Sequence, residues 1–220
     1  MSNPLVLSTK KLRFHQLERL MAAHCDVVDY DALQIEIQPF SIPKKPNYWV
    51  FSSQNAVRSF LANPTTSEHQ NSILCVGEKT KLLLEENGQK VIKTAQNMLE
   101  LVNFIQKFMK NENFLHICGN RKLADFAAGM QKSGISYAEV TAYHTRLVSR
   151  VQTPEPQGLL FYSPSGVESY LQTNSIGESW CFCIGETTAT AVRPLTKHLT
   201  VSPKPDADLL VAAAATHFRR

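Results

Sequence analysis

Long apolar runs, paired cysteines and a strong charge of one sign are all missing from this chain. No stretch approaches the roughly 18–20 apolar residues that a membrane helix needs, so no spanning segment is expected. The start, Met1-Ser2-Asn3-Pro4-Leu5, lacks a basic region followed by an apolar core, and no signal peptide is expected. The five cysteines (Cys25, Cys75, Cys118, Cys181 and Cys183) form no Cys-x-x-Cys pair and sit mostly in apolar stretches. That pattern favours buried free thiols in a reducing cytoplasm over disulfides or zinc. The seven histidines (His15, His24, His69, His116, His144, His198 and His217) show no ligand spacing, which argues against a metal. A scattered net charge of +4 is too mild for nucleic acid, though it suits a small polyanion. Gly-x-Gly-x-x-Gly, the P-loop and the Gly-x-Ser-x-Gly elbow are absent, which disfavours nucleotide binding and serine hydrolysis. No pair of carboxylates stands out for acid–base work.

What is present is a repeat. Phe51-Ser52-Ser53-Gln54-Asn55-Ala56-Val57, followed by Cys75-Val76-Gly77-Glu78-Lys79-Thr80, returns as a second copy. That copy is Phe161-Tyr162-Ser163-Pro164-Ser165-Gly166-Val167, followed by Cys183-Ile184-Gly185-Glu186-Thr187-Thr188. Phe51 and Phe161 are 110 residues apart, and Gly77 and Gly185 are 108 apart. Leu7 aligns with Ile117, and Leu99-Glu100-Leu101-Val102 with Ala207-Asp208-Leu209-Leu210. The chain therefore reads as one β/α unit used twice, and 220 residues with 43% apolar content suffice for two cores.

Short apolar strands alternate with helices along the chain, which predicts parallel sheets covered by helices on both faces. Strands are expected at Leu5–Ser8, around Val27-Val28, at Leu33–Ile37, Tyr48–Phe51, Ile73–Val76 and Val91-Ile92. Later ones are expected at Phe114–Cys118, Tyr137–Tyr143, Leu159–Phe161, Trp180–Ile184 and Leu199–Val201. The stripe Phe14, Leu17, Leu20, Met21 predicts a helix over 13–23. Further helices are expected at 55–61, 79–86, 98–109, 123–131, 165–171, 187–195 and 206–218, with Gly88 and Gly134 as stops. In the helix over 98–109, Leu99, Val102, Phe104, Ile105 and Phe108 supply the apolar positions. A polar loop is expected over 63–71. Pro39, Pro43, Lys44-Lys45 and Pro46 mark one break, and Pro154-Glu155-Pro156 another.

The strand ends carry the candidate site. Ser8-Thr9-Lys10, Ser52 to Asn55, Gly119-Asn120-Arg121, Ser163 to Gly166 and the two Gly-Glu turns all open helices. Backbone N–H groups, hydroxyls and the positive end of a helix dipole make such turns receptive to anions. In parallel α/β sheets the ligand crevice lies at these strand ends. Ser, Thr and Asn are equally the preferred N-caps, so for any single turn a structural role stands level with a functional one. Glu78 and Glu186 read as first-turn charges that complement the dipole. Tyr143 follows an apolar stretch at a boundary. It reads either as a proton donor to a leaving group or as an interfacial aromatic.

Together these motifs resemble the uroporphyrinogen-III synthase family. The match rests on Val50 to Val57, on Gly119-Asn120-Arg121 with Gly134, and on Val140-x-x-Tyr143-x-Thr145. Phe161-x-Ser163-Pro164-Ser165-Gly166-Val167 and Ile184-Gly185-x-Thr187-Thr188-Ala189 complete it. The resemblance implies a fold of two similar parallel-sheet (flavodoxin-like) domains joined by a two-stranded, antiparallel linker, with a cleft between them. One domain would be 1–36 plus 147–220 and the other the inserted 39–142, with linkers near 33–40 and 142–150.

The same resemblance implies closure of hydroxymethylbilane to uroporphyrinogen III with inversion of the last pyrrole ring. It implies no cofactor and no metal. Loss of the substrate hydroxyl gives a reactive cation, which closes through a spiro-type intermediate, and orientation supplies much of the catalysis. Tyr143 matches the family's tyrosine and would aid hydroxyl departure. Ser163, Ser165, Gly166, Gly185, Thr187 and Thr188 would line one wall, with Ser52, Ser53, Asn55, Gly119, Asn120 and Arg121 opposite. Thr9 and Lys10 stand where the family often has Thr-Arg. Lys10 keeps the charge and loses the bidentate fork, and Lys79 is placed to compensate. The resemblance implies a cytoplasmic monomer acting on a linear tetrapyrrole, with room for transient contact with hydroxymethylbilane synthase. The competing readings are a non-catalytic two-domain binder or sensor of a small polycarboxylate, and a tandem pair of interaction domains without a ligand.

Overall fold

A computed structural model describes residues 3–42, 46–63, 72–122 and 124–219. Pro43 with Lys44-Lys45, residues 64–71 of the expected polar loop, and Leu123 at the expected helix start lie outside the described residues. The chain divides into two compact units, Met1–Gln34 with Arg146–Arg220, and Ile35–Thr145.

The elements begin with β1 (Leu5–Ser8), α1 (Phe14–Met21), β2 (Asp26–Asp29) and β3 (Leu33–Ile37). Next come β4 (Tyr48–Phe51), α2 (Gln54–Leu61), β5 (Ser72–Val76), α3 (Glu78–Glu86), β6 (Val91–Ala95) and α4 (Met98–Phe108). Then follow β7 (Asn113–Gly119), α5 (Asp125–Lys132), β8 (Ser136–Leu147), β9 (Gly158–Phe161) and α6 (Pro164–Leu171). β10 (Trp180–Cys183), α7 (Glu186–Val192), β11 (Leu199–Val201) and α8 (Ala207–Phe218) complete the chain.

One sheet runs β11-β10-β9-β1-β2 and the other β3-β8-β7-β4-β5-β6. The pairings β1–β2, β1–β9, β9–β10 and β10–β11 are parallel. So are β4–β5, β4–β7, β5–β6 and β7–β8. Numbered along the chain, the first unit's strands β2-β1-β9-β10-β11 read 2-1-3-4-5, the flavodoxin order. The second unit reads 3-2-1-4-5 from β4, the same arrangement circularly permuted, with β7 matched to β1 and β4 to β9. The topological switch point then falls between β4 and β7 in one unit and between β9 and β1 in the other. This is where α/β sheets place ligands.

Alternation along each strand sorts the apolar residues into two cores per sheet. Trp49 and Phe51 pack with Phe60, Leu115 and Ile117, while Val50 between them packs with Leu101, Ile105 and Phe126 on the other face. In the first unit Leu7 joins Phe161, Tyr170 and Cys181, whereas Val6 joins Leu160, Phe182 and Leu210. Each large side chain withdrawn from water this way contributes about 1.5–3 kcal/mol. All five cysteines are buried and free, and Cys181 and Cys183 share one core face.

Two apolar assignments need correction. Leu20 is buried as expected, but Phe14 is 76% and Met21 65% exposed, and Gln16 is buried in their place. The cause is Asp208 on α8. Its Oδ1 accepts from Arg13 at 2.8 Å and Gln16 at 2.6 Å, with the His15 Nε2 at 2.9 Å. Those bonds fix the rotation of α1 and turn Phe14 outward. On α4, Leu101, Val102 and Ile105 face the core, while Leu99 and Phe108 are exposed. The strands also outrun their apolar signal. β6 continues through Lys93 and Thr94 to Ala95, and β8 continues past Tyr143 to Leu147.

Candidate active site

At the end of β4, Ser53 is the N-cap of α2, and its Oγ accepts from the Ala56 N–H at 3.1 Å. The same Oγ lies 2.9 Å from the Tyr143 hydroxyl. Tyr143 stands on β8 opposite Gly119, where a register shift breaks the β7–β8 ladder. Its ring lies against Gly119 so closely that a Cβ there would sit 2.5 Å from Tyr143 Cε2 and Cζ. Glycine is needed here for close approach rather than for its backbone angles. Asn120 fastens the other side. Its Oδ1 accepts from the Thr145 N–H at 2.8 Å, and its own N–H donates to the Tyr143 carbonyl at 3.2 Å.

The structure thus joins Ser53, Gly119, Asn120 and Tyr143 into one cluster at the switch point of the second unit. Burial pushes the Tyr143 phenol pKa up, and the Ser53 hydrogen bond works against that rise. The phenol is therefore protonated at neutral pH and is equipped to donate rather than accept a proton. Asn55 is half-buried and accepts from Arg58 at 3.2 Å. Lys79 and Arg121 are exposed, and Gln54 donates to the Lys79 carbonyl at 3.1 Å.

The first unit repeats the arrangement without a tyrosine at the equivalent of position 143. Ser163 caps α6, with its Oγ accepting from the Gly166 N–H at 3.1 Å. Thr9 is buried and its hydroxyl donates to the Leu160 carbonyl at 2.8 Å, which ties the end of β1 to β9. Gly166 lies against Thr9 and Ser163, and Ser165 is half-buried beside them. Lys10 is exposed. Gly185 is the N-cap of α7. Thr188 is buried and Thr187 exposed, so of that pair only Thr187 offers its hydroxyl to solvent. Glu78 and Glu186 occupy first helical turns, as their repeat positions suggest.

One group of polar residues carries no short-range sequence signal. Ser52 Oγ lies 3.0 Å from His116 Nε2, and His116 Nδ1 lies 2.9 Å from Glu139 Oε1. Lys122 Nζ donates to the other oxygen of Glu139. His116 is 1% exposed and stacks obliquely on Phe126 with ring centroids 4.7 Å apart. The ligand atoms of His116, Cys118 and Glu139 lie within 4.8 Å of one another, a closeness that histidine spacing could not reveal. Both ring nitrogens and both carboxylate oxygens already have partners, so the group is built as a hydrogen-bond chain. The only sequence hint is that His116 and Cys118 stand two apart on a strand and therefore share a face.

The family model described as uroporphyrinogen-III synthase HemD matches residues 10–212. This chain belongs to the uroporphyrinogen-III synthase family. Membership gives it the cyclising step of tetrapyrrole and heme biosynthesis, a lyase reaction on a tetrapyrrole substrate, over the non-catalytic binder or sensor. Comparison with curated proteins gives no match. Among solved structures, uroporphyrinogen-III synthetase from Helicobacter pylori is 16% identical with a TM-score of 0.74, covering 98% of this chain and 99% of that one. A mutant uroporphyrinogen III synthase from the extremely thermophilic bacterium Thermus thermophilus is 12% identical with a TM-score of 0.68, covering 97% and 99%. The wild-type Thermus thermophilus synthase in another crystal form gives 13% and 0.54, covering 97% of each chain. At these identities the likeness establishes the two-sheet α/β fold that the family implies. No helix among the described residues is long and apolar enough to cross a membrane.

Proposed function

We propose that this synthase converts hydroxymethylbilane to uroporphyrinogen III with Tyr143 as the acid that releases the substrate hydroxyl. The observation that carries this is the Tyr143–Ser53 bond at the N-terminus of α2. Ser53 Oγ accepts from the helix N–H of Ala56, and in this reading its own hydrogen is donated to the Tyr143 oxygen. The Tyr143 O–H is then directed at the substrate. As the hydroxymethyl C–O bond breaks, the phenol proton passes to the departing oxygen, which leaves as water. Ser53 and the helix dipole stabilise the phenolate that remains. The proton later lost from the closing ring carbon restores the phenol. General acid assistance of this kind contributes typically about 10²–10⁴-fold.

The strand-end turns hold the acetate and propionate arms in this reading. Ser163, Ser165, Gly166, Gly185, Thr187 and Thr188 serve in one unit, with Thr9 bracing Gly166 and Lys10 supplying charge. Ser53, Asn55, Gly119, Asn120 and Arg121 serve in the other, with Lys79 as a further cation, while Ser52 lines the same wall. Thr188 and Thr9 act through backbone shape, since the first is buried and the second donates to Leu160. The functional domains are taken as 1–36 with 147–220, and 39–142. A cytoplasmic monomer in transient contact with hydroxymethylbilane synthase fits this reading, because free substrate closes to the uninverted isomer.

The test supplies purified protein with hydroxymethylbilane and compares wild type with Tyr143→Phe. Turnover of the variant is expected to fall at least about 100-fold with folding intact. Unchanged turnover removes Tyr143 from the proton transfer.

A further inference from the structure

Among the differences between the two units is a registered strand pair with one buried and one half-buried member. In the first unit, Val6 of β1 is registered against Val27 of β2. In the second, the corresponding places on β7 and β8 hold His116 registered against Glu139. Both pairs lie on the equivalent sheet face, with Val6 and Val27 packed in one core and His116 against Phe126 of the other. The first unit shows that two valines satisfy this fold. Burying an imidazole and a carboxylate there costs desolvation that an apolar pair avoids. The polar pair is therefore not needed for packing, and its function must lie where its chain of bonds leads.

That chain leads to Ser52. At the equivalent place the first unit has Tyr162, whose hydroxyl rests 3.3 Å from Ser8 Oγ. In the second unit the order is Lys122, Glu139, His116, Ser52. The His116 hydrogen bond, and after it Lys122, holds the Glu139 carboxyl below its ordinary range, so it is ionised and can only accept. His116 Nδ1 must then carry the hydrogen. In a neutral ring this leaves Nε2 as an acceptor, and Lys122 already supplies the positive charge that Glu139 needs. A neutral ring held this way draws the Ser52 hydrogen inward to Nε2, 3.0 Å away. Ser52 is half-buried at the mouth of the switch point and can meet a ligand only with its oxygen lone pairs.

We propose that His116 and Glu139 are positioning residues that lock Ser52 as a pure acceptor, which takes a pyrrole N–H of the linear tetrapyrrole rather than a carboxylate arm. This rests on the family's substrate. It assigns Ser52 a different contact from the neighbouring hydroxyl turns, since a locked acceptor repels carboxylate oxygens and welcomes N–H donors.

The test is a double-mutant cycle on KM for hydroxymethylbilane, using Ser52→Ala, Glu139→Gln and the pair. Loss of one acceptor is expected to raise KM about three- to ten-fold in Ser52→Ala, with kcat changed less than about two-fold. Glu139→Gln lets the amide donate to Nδ1, so the ring can flip its hydrogen to Nε2 and release Ser52. It should raise KM about three-fold in the wild-type background and leave it unchanged in Ser52→Ala. Equal effects in both backgrounds, or none in either, overturn the proposal. The free wild-type protein gives a second readout that needs no variant: ¹⁵N spectra of the His116 ring should show the hydrogen on Nδ1. A hydrogen on Nε2, whether in the other tautomer or in a doubly protonated ring, overturns the lock. A wild-type protein that makes only the type I isomer removes the substrate reading and the pyrrole contact with it, while the ring spectrum still decides the lock.

Discussion

Replacing Gly119 by alanine tests the tyrosine cluster through shape alone. The added Cβ would lie 2.5 Å from Tyr143 Cε2 and Cζ and 3.0 Å from the phenol oxygen. Carbon atoms rest about 3.5–4.0 Å apart, so the ring must retreat by about 1 Å. That retreat pulls the phenol from Ser53, now 2.9 Å away. Overpacking costs about 1–3 kcal/mol, and the lost hydrogen bond adds about 0.5–1.5 kcal/mol. The expected loss is about 1.5–4.5 kcal/mol, read from the denaturant midpoint at unchanged slope. Turnover should fall at least as far as in Tyr143→Phe, because the acid is displaced. In a Tyr143→Ala background the three atoms nearest the added Cβ are gone, and Gly119→Ala should cost less than about 1 kcal/mol. An equal cost in both backgrounds, or a Gly119→Ala protein with full stability and turnover, would refute the reasoning.

Other outcomes follow from the same contacts. Ser53→Ala and Ser163→Ala each remove one N-cap and should each cost about 0.5–2 kcal/mol in thermal or chemical unfolding; only Ser53→Ala should also lower kcat sharply, since only Ser53 supports a phenol. Acidification should act through Glu139. Its folded pKa lies below the ordinary value of 4.5, so its contribution is full above 4.5 and is lost as pH falls through the folded value. The stability gap between wild type and Glu139→Gln should therefore narrow below about pH 4.5; a gap that stays constant contradicts the pairing. Asp208→Asn should loosen α1 from α8, because Arg13, His15 and Gln16 lose a charged acceptor, and amide exchange in α1 should quicken while that in α2 stays unchanged.

Elements whose information is local could be read before folding. β4 and β9 are apolar runs ending in capping serines, and α2 and α6 begin at Ser53 and Ser163. Gly88 and Gly134 end helices with φ of +74° and +63°, a conformation that glycine adopts freely. Elements settled by partners could not be read. The face of α1 is chosen by Asp208, far along the chain on α8, and not by its apolar spacing. β6 and β8 outrun their apolar cores because ladder bonds, not side chains, extend them. In the site, Ser53, Gly119, Asn120 and Tyr143 belong to motifs that the sequence displays, although their mutual bonds appear only in the fold. His116 and Glu139 belong to none. They are 23 residues apart and meet only because β7 and β8 pair in parallel.

The most direct measurement is the isomer composition of the product. Purified protein is given hydroxymethylbilane, and the cyclised products are oxidised and separated chromatographically. Predominantly type III product, falling toward the spontaneous type I product in Tyr143→Phe as catalysis slows, is the predicted result. A wild-type protein that yields only type I product would contradict the account at its centre.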